Sequence, residues 1–443
     1  MPEAGKRDKV LFIAYEFPPM GGITSVWATK HVKYLRAHGW EPVVVTVRDA
    51  PTSIPDRSLE RDIPRDVAVY RTFSLEPTRL IRLARRLKSA LSRSKADGQG
   101  GRIIYSYTGL PLPLLAKLKA LFVPDEKVGW FPFALAAALK AVRKHDPLAI
   151  FTTTPPYTTN LVGMACSALT GLPWACEFQD IWIDNPQEMP QGDINRRLLM
   201  FLERMMLRRA GAVICAMPWQ MRWFEESLGP AAAGKCRLIT YGFDPDDFEG
   251  EVALEERFTI TFTGKLYRDR YPAALLRALE DLIEKGRVGE DEIRLRYIGP
   301  LDVDSHRAFA QEKLGSLIEV SGYVDHDECL KLMRSSHLLL LQLAEGDMSR
   351  KIYTGKMFEY FGARRPILAL VGEGVTKELI EELGAGVAVD PGDVEGIGEA
   401  ILDFIRRFRA GDELWVDSSR LEEFNRARQA GELAAVLDGL TRR

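Results

Sequence analysis

Residues 337–344 read His-Leu-Leu-Leu-Leu-Gln-Leu-Ala, five leucines in eight positions. A run this short and this apolar is a strand buried on both faces, and such strands belong to parallel sheets covered by helices on either side. The polar loop 345–350 follows. Ile352, Met357, Phe358 and Phe361 then recur at roughly helical spacing, and Pro366 opens a second apolar run, 367–371. Strand, loop, helix, strand is one turn of an α/β sheet. The loop stands at the carboxyl end of its strand, where open α/β sheets take their ligands. The next helix begins with free amides, and Lys351 and Lys356 add positive charge, so a phosphate fits there. Glu359 is out of place among Met357, Phe358 and Phe361. An ordinary surface carboxylate is the plain alternative.

The same alternation runs through the whole chain. Residues 10–15 form a short buried strand, followed by Glu16-Phe-Pro-Pro-Met-Gly-Gly-Ile-Thr. Two prolines exclude helix, and Gly21 and Gly22 let the backbone approach a ligand closely. A helix over 24–38, a stop at Gly39 and a strand over 42–47 complete the unit. The dinucleotide fingerprint Gly-x-Gly-x-x-Gly is absent. Helices over 131–144, 158–169, 196–210 and 219–227 alternate with strands over 149–154, 173–178, 212–216 and 237–241. Asp180 lies just past one of these strands, which makes it a candidate acid or base; a loop or helix-cap residue is the alternative. The acidic stretch 244–256 reads as a linker. A second series of strands begins at 258–262 and continues at 293–298, 318–322, 338–343, 366–370 and 386–389. After the first of them come Gly264, Lys265 and Arg270. Glycine admits the backbone and two cations offset charge, a pattern that can hold a diphosphate.

Composition narrows the class. Hydrophobic residues make up 46% and charged residues 28%, as in ordinary globular chains. The net charge of -2 gives no reason to expect nucleic acid as a partner. The five cysteines, Cys166, Cys176, Cys215, Cys236 and Cys329, form no Cys-x-x-Cys pair, which argues for a reducing compartment and against structural zinc. Residues 1–9 are polar, without a secretion-signal core. No apolar run approaches the roughly 18 residues that suggest a membrane span. One stretch differs from the rest: 78–95 carries seven basic side chains, including Arg82, Arg85 and Arg86, and no acid, with leucines on one helical face. It reads either as a solvated helix covering the core or as a helix lying on an anionic membrane.

Lys-Met-Phe-Glu-Tyr at 356–360, followed by a small-residue turn and Arg-Pro-Ile-Leu-Ala at 365–369, resembles the donor-site helix of family 4 glycosyltransferases, which have the GT-B fold. The resemblance implies that Glu359 accepts hydrogen bonds from the ribose hydroxyls of a nucleotide sugar. A carboxylate suits this, being acceptor-only with two oxygens for two adjacent hydroxyls. Many members carry a second Glu eight positions earlier, where this chain has Lys351. Phe-Pro-Pro-Met-Gly-Gly at 17–22 resembles the loop that meets the donor phosphates and the acceptor. Thr-Pro-Pro-Tyr at 154–157 and Glu-Phe-Gln-Asp-Ile-Trp at 177–182 resemble a bacterial polysaccharide subgroup. Asp180 and Trp182 match its pattern, Glu177 and Gln179 depart from it, and the His common in other branches is absent. Lys265 and Arg270 keep the two cations of the family's diphosphate site with their types exchanged, and Gly322-Tyr-Val324 resembles the segment whose backbone meets the nucleobase. The resemblance spans about residues 9–439 and is weakest over 50–120.

It implies an α/β protein of GT-B fold, two Rossmann-like doubly wound domains facing across a cleft. Residues 1–242 would be the acceptor domain, with a C-terminal helix over about 415–443 packing back onto it, and 257–414 the nucleotide-sugar donor domain. The expected activity is retaining glycosyl transfer from a nucleotide sugar to a polysaccharide or lipid-linked glycan. The donor contacts would be Gly21, Gly22, Gly264, Lys265, Arg270, Val324, Lys356 and Glu359. Asp180 is the catalytic candidate, with no metal and no cofactor beyond the donor itself. The expected location is the cytoplasm, with 78–95 on the inner face of the plasma membrane. A nucleotide-sugar epimerase and a non-catalytic GT-B subunit are the competing readings.

Overall fold

The structure is a computed structural model that describes residues 7–48, 56–76, 122–180, 182–183, 193–229, 234–266, 271–311, 313–344, 346 and 349–442. The basic stretch 78–95 and Arg270 lie outside the described residues. The chain divides into two compact units, Met1–Thr240 with Ala427–Arg443, and Tyr241–Arg426.

The first unit is built on β1 (Asp8–Ala14), β2 (Trp40–Val47), β3 (Ala68–Thr72), β4 (Ala149–Thr153), β5 (Trp174–Phe178), β6 (Ala212–Cys215) and β7 (Cys236–Leu238). They form one parallel sheet in the order β3-β2-β1-β4-β5-β6-β7. Its helices among the described residues are α1 (Ile23–Leu35), α2 (Phe131–His145), α3 (Thr158–Thr170), α4 (Asp193–Arg209) and α5 (Pro218–Leu228). The second unit has β8 (Phe258–Thr263), β9 (Ile293–Ile298), β10 (Ile318–Gly322), β11 (Leu338–Gln342), β12 (Ile367–Leu370) and β13 (Gly386–Val389), all parallel, in the order β10-β9-β8-β11-β12-β13. Between and after these strands come α6 (Ala273–Glu284), α7 (Val303–Gln311), α8 (His326–Arg334), α9 (Gly355–Ala363), α10 (Val375–Glu382) and α11 (Val394–Arg409). The last helix, α12 (Arg426–Thr441), returns to the first unit from Ala427 onward.

The central strands are apolar because both faces are covered: residues 10–14 and 338–341 are wholly buried. Winding reverses between β1 and β4 in one sheet and between β8 and β11 in the other, which opens a crevice at the carboxyl ends of each pair. Strand β3 carries no continuous apolar run and is only half-buried, as an edge strand is, so hydrophobic patterning does not reveal it. The helix expected from Ile352 starts later, at Gly355 after Thr354, and residues 352–354 are not helical. Among the described residues no helix is long and apolar enough to cross a membrane.

Candidate active site

In the first unit the loops after β1, β4 and β5 converge on a polar group. Glu16 follows the buried end of β1. Burial pushes its carboxyl up from 4.5 to about 7, against the pull of the Lys127 charge and a hydrogen bond with the Thr24 side chain, while the Asp180 charge adds to the rise. Lys127 is held in place from several sides. Its Nζ donates to Glu76 Oε2 at 3.0 Å, lies 3.3 Å from Glu126 and stands 5.7 Å from the Tyr15 ring centre. Tyr15 in turn donates to the other oxygen of the buried Glu76. Two residues before Lys127, Asp125 accepts from Thr158 N and Thr158 Oγ1, both at 2.8 Å, and from Lys127 N at 2.9 Å, fastening this loop to the start of α3.

Asp180 is exposed just beyond β5. Its backbone carbonyl accepts from Tyr157 Oη at 3.3 Å and Gln220 Nε2 at 2.9 Å. Tyr157 stacks on the buried Trp182 with ring centres 4.7 Å apart. The segments 154–157 and 177–180, 20 residues apart in sequence, are therefore joined: Tyr157 ties the backbone at Asp180 and stacks on Trp182. Gly21 and Gly22 lie at the start of α1, with Gly22 as its N-cap at φ 112° and no side chain capping the helix. The first turn of α1 carries no acid, which leaves its positive end open to an anion.

In the second unit the site forms where β8, β11 and α9 meet. Gly264 follows β8 at φ +106°, a backbone that favours glycine, and a Cβ there would stand 3.1 Å from Lys356 Nζ. Lys356, in the first turn of α9, lies over the Phe262 ring at 3.9 Å. Residues 92 positions apart are thus brought side by side at the start of a helix with no acid in its first turn. The Thr354 Oγ1 at that N-cap is buried and has no partner among the described residues. Lys265 is exposed next to Gly264. Glu359 is half-buried one turn along α9, between wholly buried Phe358 and Tyr360. Its charge is felt at Cys329 of α8, where burial above all, with Glu359 adding and Lys356 opposing, pushes the thiol up to about 12. Tyr360 fixes the helix: its Oη accepts from Thr263 N at 3.0 Å and Thr263 Oγ1 at 3.1 Å and donates to Leu340 O at 3.1 Å. Val324 is half-buried in the loop between β10 and α8.

Two clefts open at the carboxyl edge of the same sheet. One of about 330 Å³ is lined by Leu343, Ser349, Arg350, Gly374, Thr376 and Asp390 among others. At Gly374, φ +148°, a Cβ would collide with the Arg350 carbonyl, so glycine lets the two loops close on each other. The other, of about 580 Å³, reaches from the start of α6 to Gln342. Among the described residues neither is lined by Lys265, Lys356 or Glu359. Lys351 is exposed, outside both linings.

Glu16 and Lys127 were not singled out by sequence. The available signal was a carboxylate immediately after an unbroken buried strand. Lys127 has no motif; only the fold brings it to Glu16.

Residues 108–242 match the glycosyl transferase 4-like domain, and residues 257–407 match the glycosyl transferases group 1 model. Together the two matches take in about two thirds of the chain. Among curated proteins none matches it in sequence. Solved structures share its fold at low identity. HepE of Anabaena, in complex with UDP and glucose, is 15% identical with a TM-score of 0.62, over 98% of this chain and 100% of that one. Sucrose-phosphate synthase of Thermosynechococcus elongatus is 15% identical with a TM-score of 0.58, over 98% and 99%. A variant of TarM of S. aureus, in complex with fondaparinux, alpha-GlcNAc-glycerol and UDP, is 12% identical with a TM-score of 0.59, over 97% and 100%. With two parallel sheets and these two domain matches, the chain belongs to the glycosyltransferases of GT-B fold.

Proposed function

We propose that this chain is a retaining glycosyltransferase of family 4, of the bacterial polysaccharide subgroup, moving a hexose from a nucleotide sugar to a polysaccharide or lipid-linked glycan. The observation that carries the reading is Lys356 set against Gly264 at the start of the helix that also bears Glu359. UDP in the HepE and TarM structures supports a nucleotide donor here.

In this reading Glu359 holds the ribose and the backbone at Val324 meets the base. Lys265, Arg270 and Lys356 hold the diphosphate, and Gly21 and Gly22 keep the donor-contact role that the resemblance gives them. Three cations offset the charge of the leaving diphosphate, a task worth several kcal/mol in a closed site, so no divalent metal is required. The donor's own phosphate assists deprotonation of the acceptor hydroxyl. Asp180 and Glu16 are the carboxylates that orient the acceptor. A cytoplasmic location follows from the nucleotide-sugar supply.

The test is a thermal-shift screen of nucleotide sugars, followed by nucleotide release with and without a glycan acceptor. Acceptor-dependent release is the expected result. Turnover of the nucleotide sugar without acceptor would mean an isomerase, and no binding of any nucleotide sugar would mean a non-catalytic subunit.

A further inference from the structure

Helix α4 presents an outer face of unusual make-up. Ile194 is 82% exposed, Leu198 42% and Phe201 62%. At the angular step of an α-helix these three and the half-buried Met205 fall in one stripe about 60° wide. Exposed Arg197, Arg204 and Arg208 run along one border of that stripe. The opposite face is seated in the core of the first unit through Leu199, Met206 and Leu207. Glu203 is turned to that inner side and is 5% exposed, so no acid interrupts the outer face between Ile194 and Arg209.

A helix that covers a core needs one apolar face; this one has a second, pointed outward. A ridge of large apolar side chains beside a row of three guanidiniums fits one kind of partner. The acyl boundary of a bilayer takes the ridge, and lipid phosphates take the arginines bidentately. A row of like charge over three turns matches a surface of uniform opposite charge. We propose that α4 is a membrane-contact helix that lies in the plane of an anionic bilayer. This goes beyond the transferase reading and stands or falls separately from it.

The test is flotation of the full chain with phosphatidylcholine vesicles, with and without phosphatidylglycerol. The wild type should float with the anionic vesicles only. Replacing Arg197, Arg204 and Arg208 together by Ala should lower partitioning about 100-fold, since each basic residue near the surface counts separately. Leu198→Ser with Phe201→Ser should also abolish flotation, whereas Phe201→Leu should retain it. All these side chains are exposed, so thermal midpoints should match the wild type and separate lost binding from lost folding. The stretch 78–95 is intact in every variant, so the loss is assigned to α4. The proposal is overturned if the wild type ignores anionic vesicles, or if the α4 variants float as it does. It is equally overturned if the wild type forms a dimer that these substitutions dissolve while vesicles are ignored, which would give the face to a second copy of the chain.

Discussion

Glu16 shows how position alone sets the chemistry of a side chain. A glutamate ordinarily titrates near 4.5; here burial carries it to about 7. Below 4.5 the carboxyl is protonated in the folded and unfolded chain alike. Between 4.5 and 7 the unfolded chain loses its proton while the folded chain keeps it, so stability falls as pH rises through that window. Glu16→Gln removes the dependence. Relative to wild type, the variant should gain on the order of 2 kcal/mol in urea unfolding between pH 4.5 and pH 8. A difference that stays flat with pH would mean that Glu16 is not desolvated. At the proposed donor site, Glu359→Ala and Lys356→Ala should each weaken nucleotide binding by about 1.5–3 kcal/mol, the range for hydrogen bonds to charged groups. Calorimetry on both variants decides this, and unchanged affinity would remove them from the donor contacts.

Helix α9 carries Lys356 and Glu359, the proposed donor contacts, and one side chain holds it to the sheet. Tyr360 Oη bonds Thr263 of β8 and Leu340 of β11, the two strands between which the winding reverses. Tyr360→Phe would leave the Thr263 amide and hydroxyl in the core without that acceptor, at about 1–3 kcal/mol for each group left unsatisfied. The expected outcome is a lower denaturation midpoint together with weaker nucleotide binding, because Lys356 and Glu359 ride on the same helix. The existence of α9 was legible from the spacing of Met357, Phe358 and Phe361; its first residue was not. Apolar spacing reports which face is buried, whereas the start depends on where residues 349–354 are tied. Those ties come from α10, through Val375 N to Arg350 O at 2.9 Å and Thr376 Oγ1 to Ile352 O at 2.9 Å.

At the scale of the molecule, the chain enters the second unit at Tyr241 and returns to the first at Ala427. Leu433 and Leu437 of α12 are wholly buried, Trp40 Nε1 donates to Asp438 Oδ1 at 3.0 Å, and the His38 ring bonds the Ala427 carbonyl at 2.9 Å. Deleting residues 427–443 removes two buried leucines, worth about 3–6 kcal/mol together. Calorimetry of the truncated chain should show the first unit melting earlier and the second unchanged. If both transitions moved equally, the helix would not belong to the first unit alone.

The runs 10–15 and 338–341 carry their own evidence, because a continuously apolar strand has to be covered on both faces. Such runs, alternating with helical spacing, were enough to read two doubly wound α/β sheets and the loops at their carboxyl ends. Gly264 and Glu359 could be picked out for the same reason: glycine after a strand and a carboxylate on an apolar helix are local anomalies. The half-buried β3 left no such trace. Nor could sequence place Lys356 against Gly264, Tyr157 against Trp182, or Lys127 and Asp180 close enough to act on Glu16. Those pairings join residues 25 to more than 150 positions apart, and they depend on strand order and on how loops are fastened. Charge, pKa and reach are properties of that proximity, so the tertiary structure alone decides them.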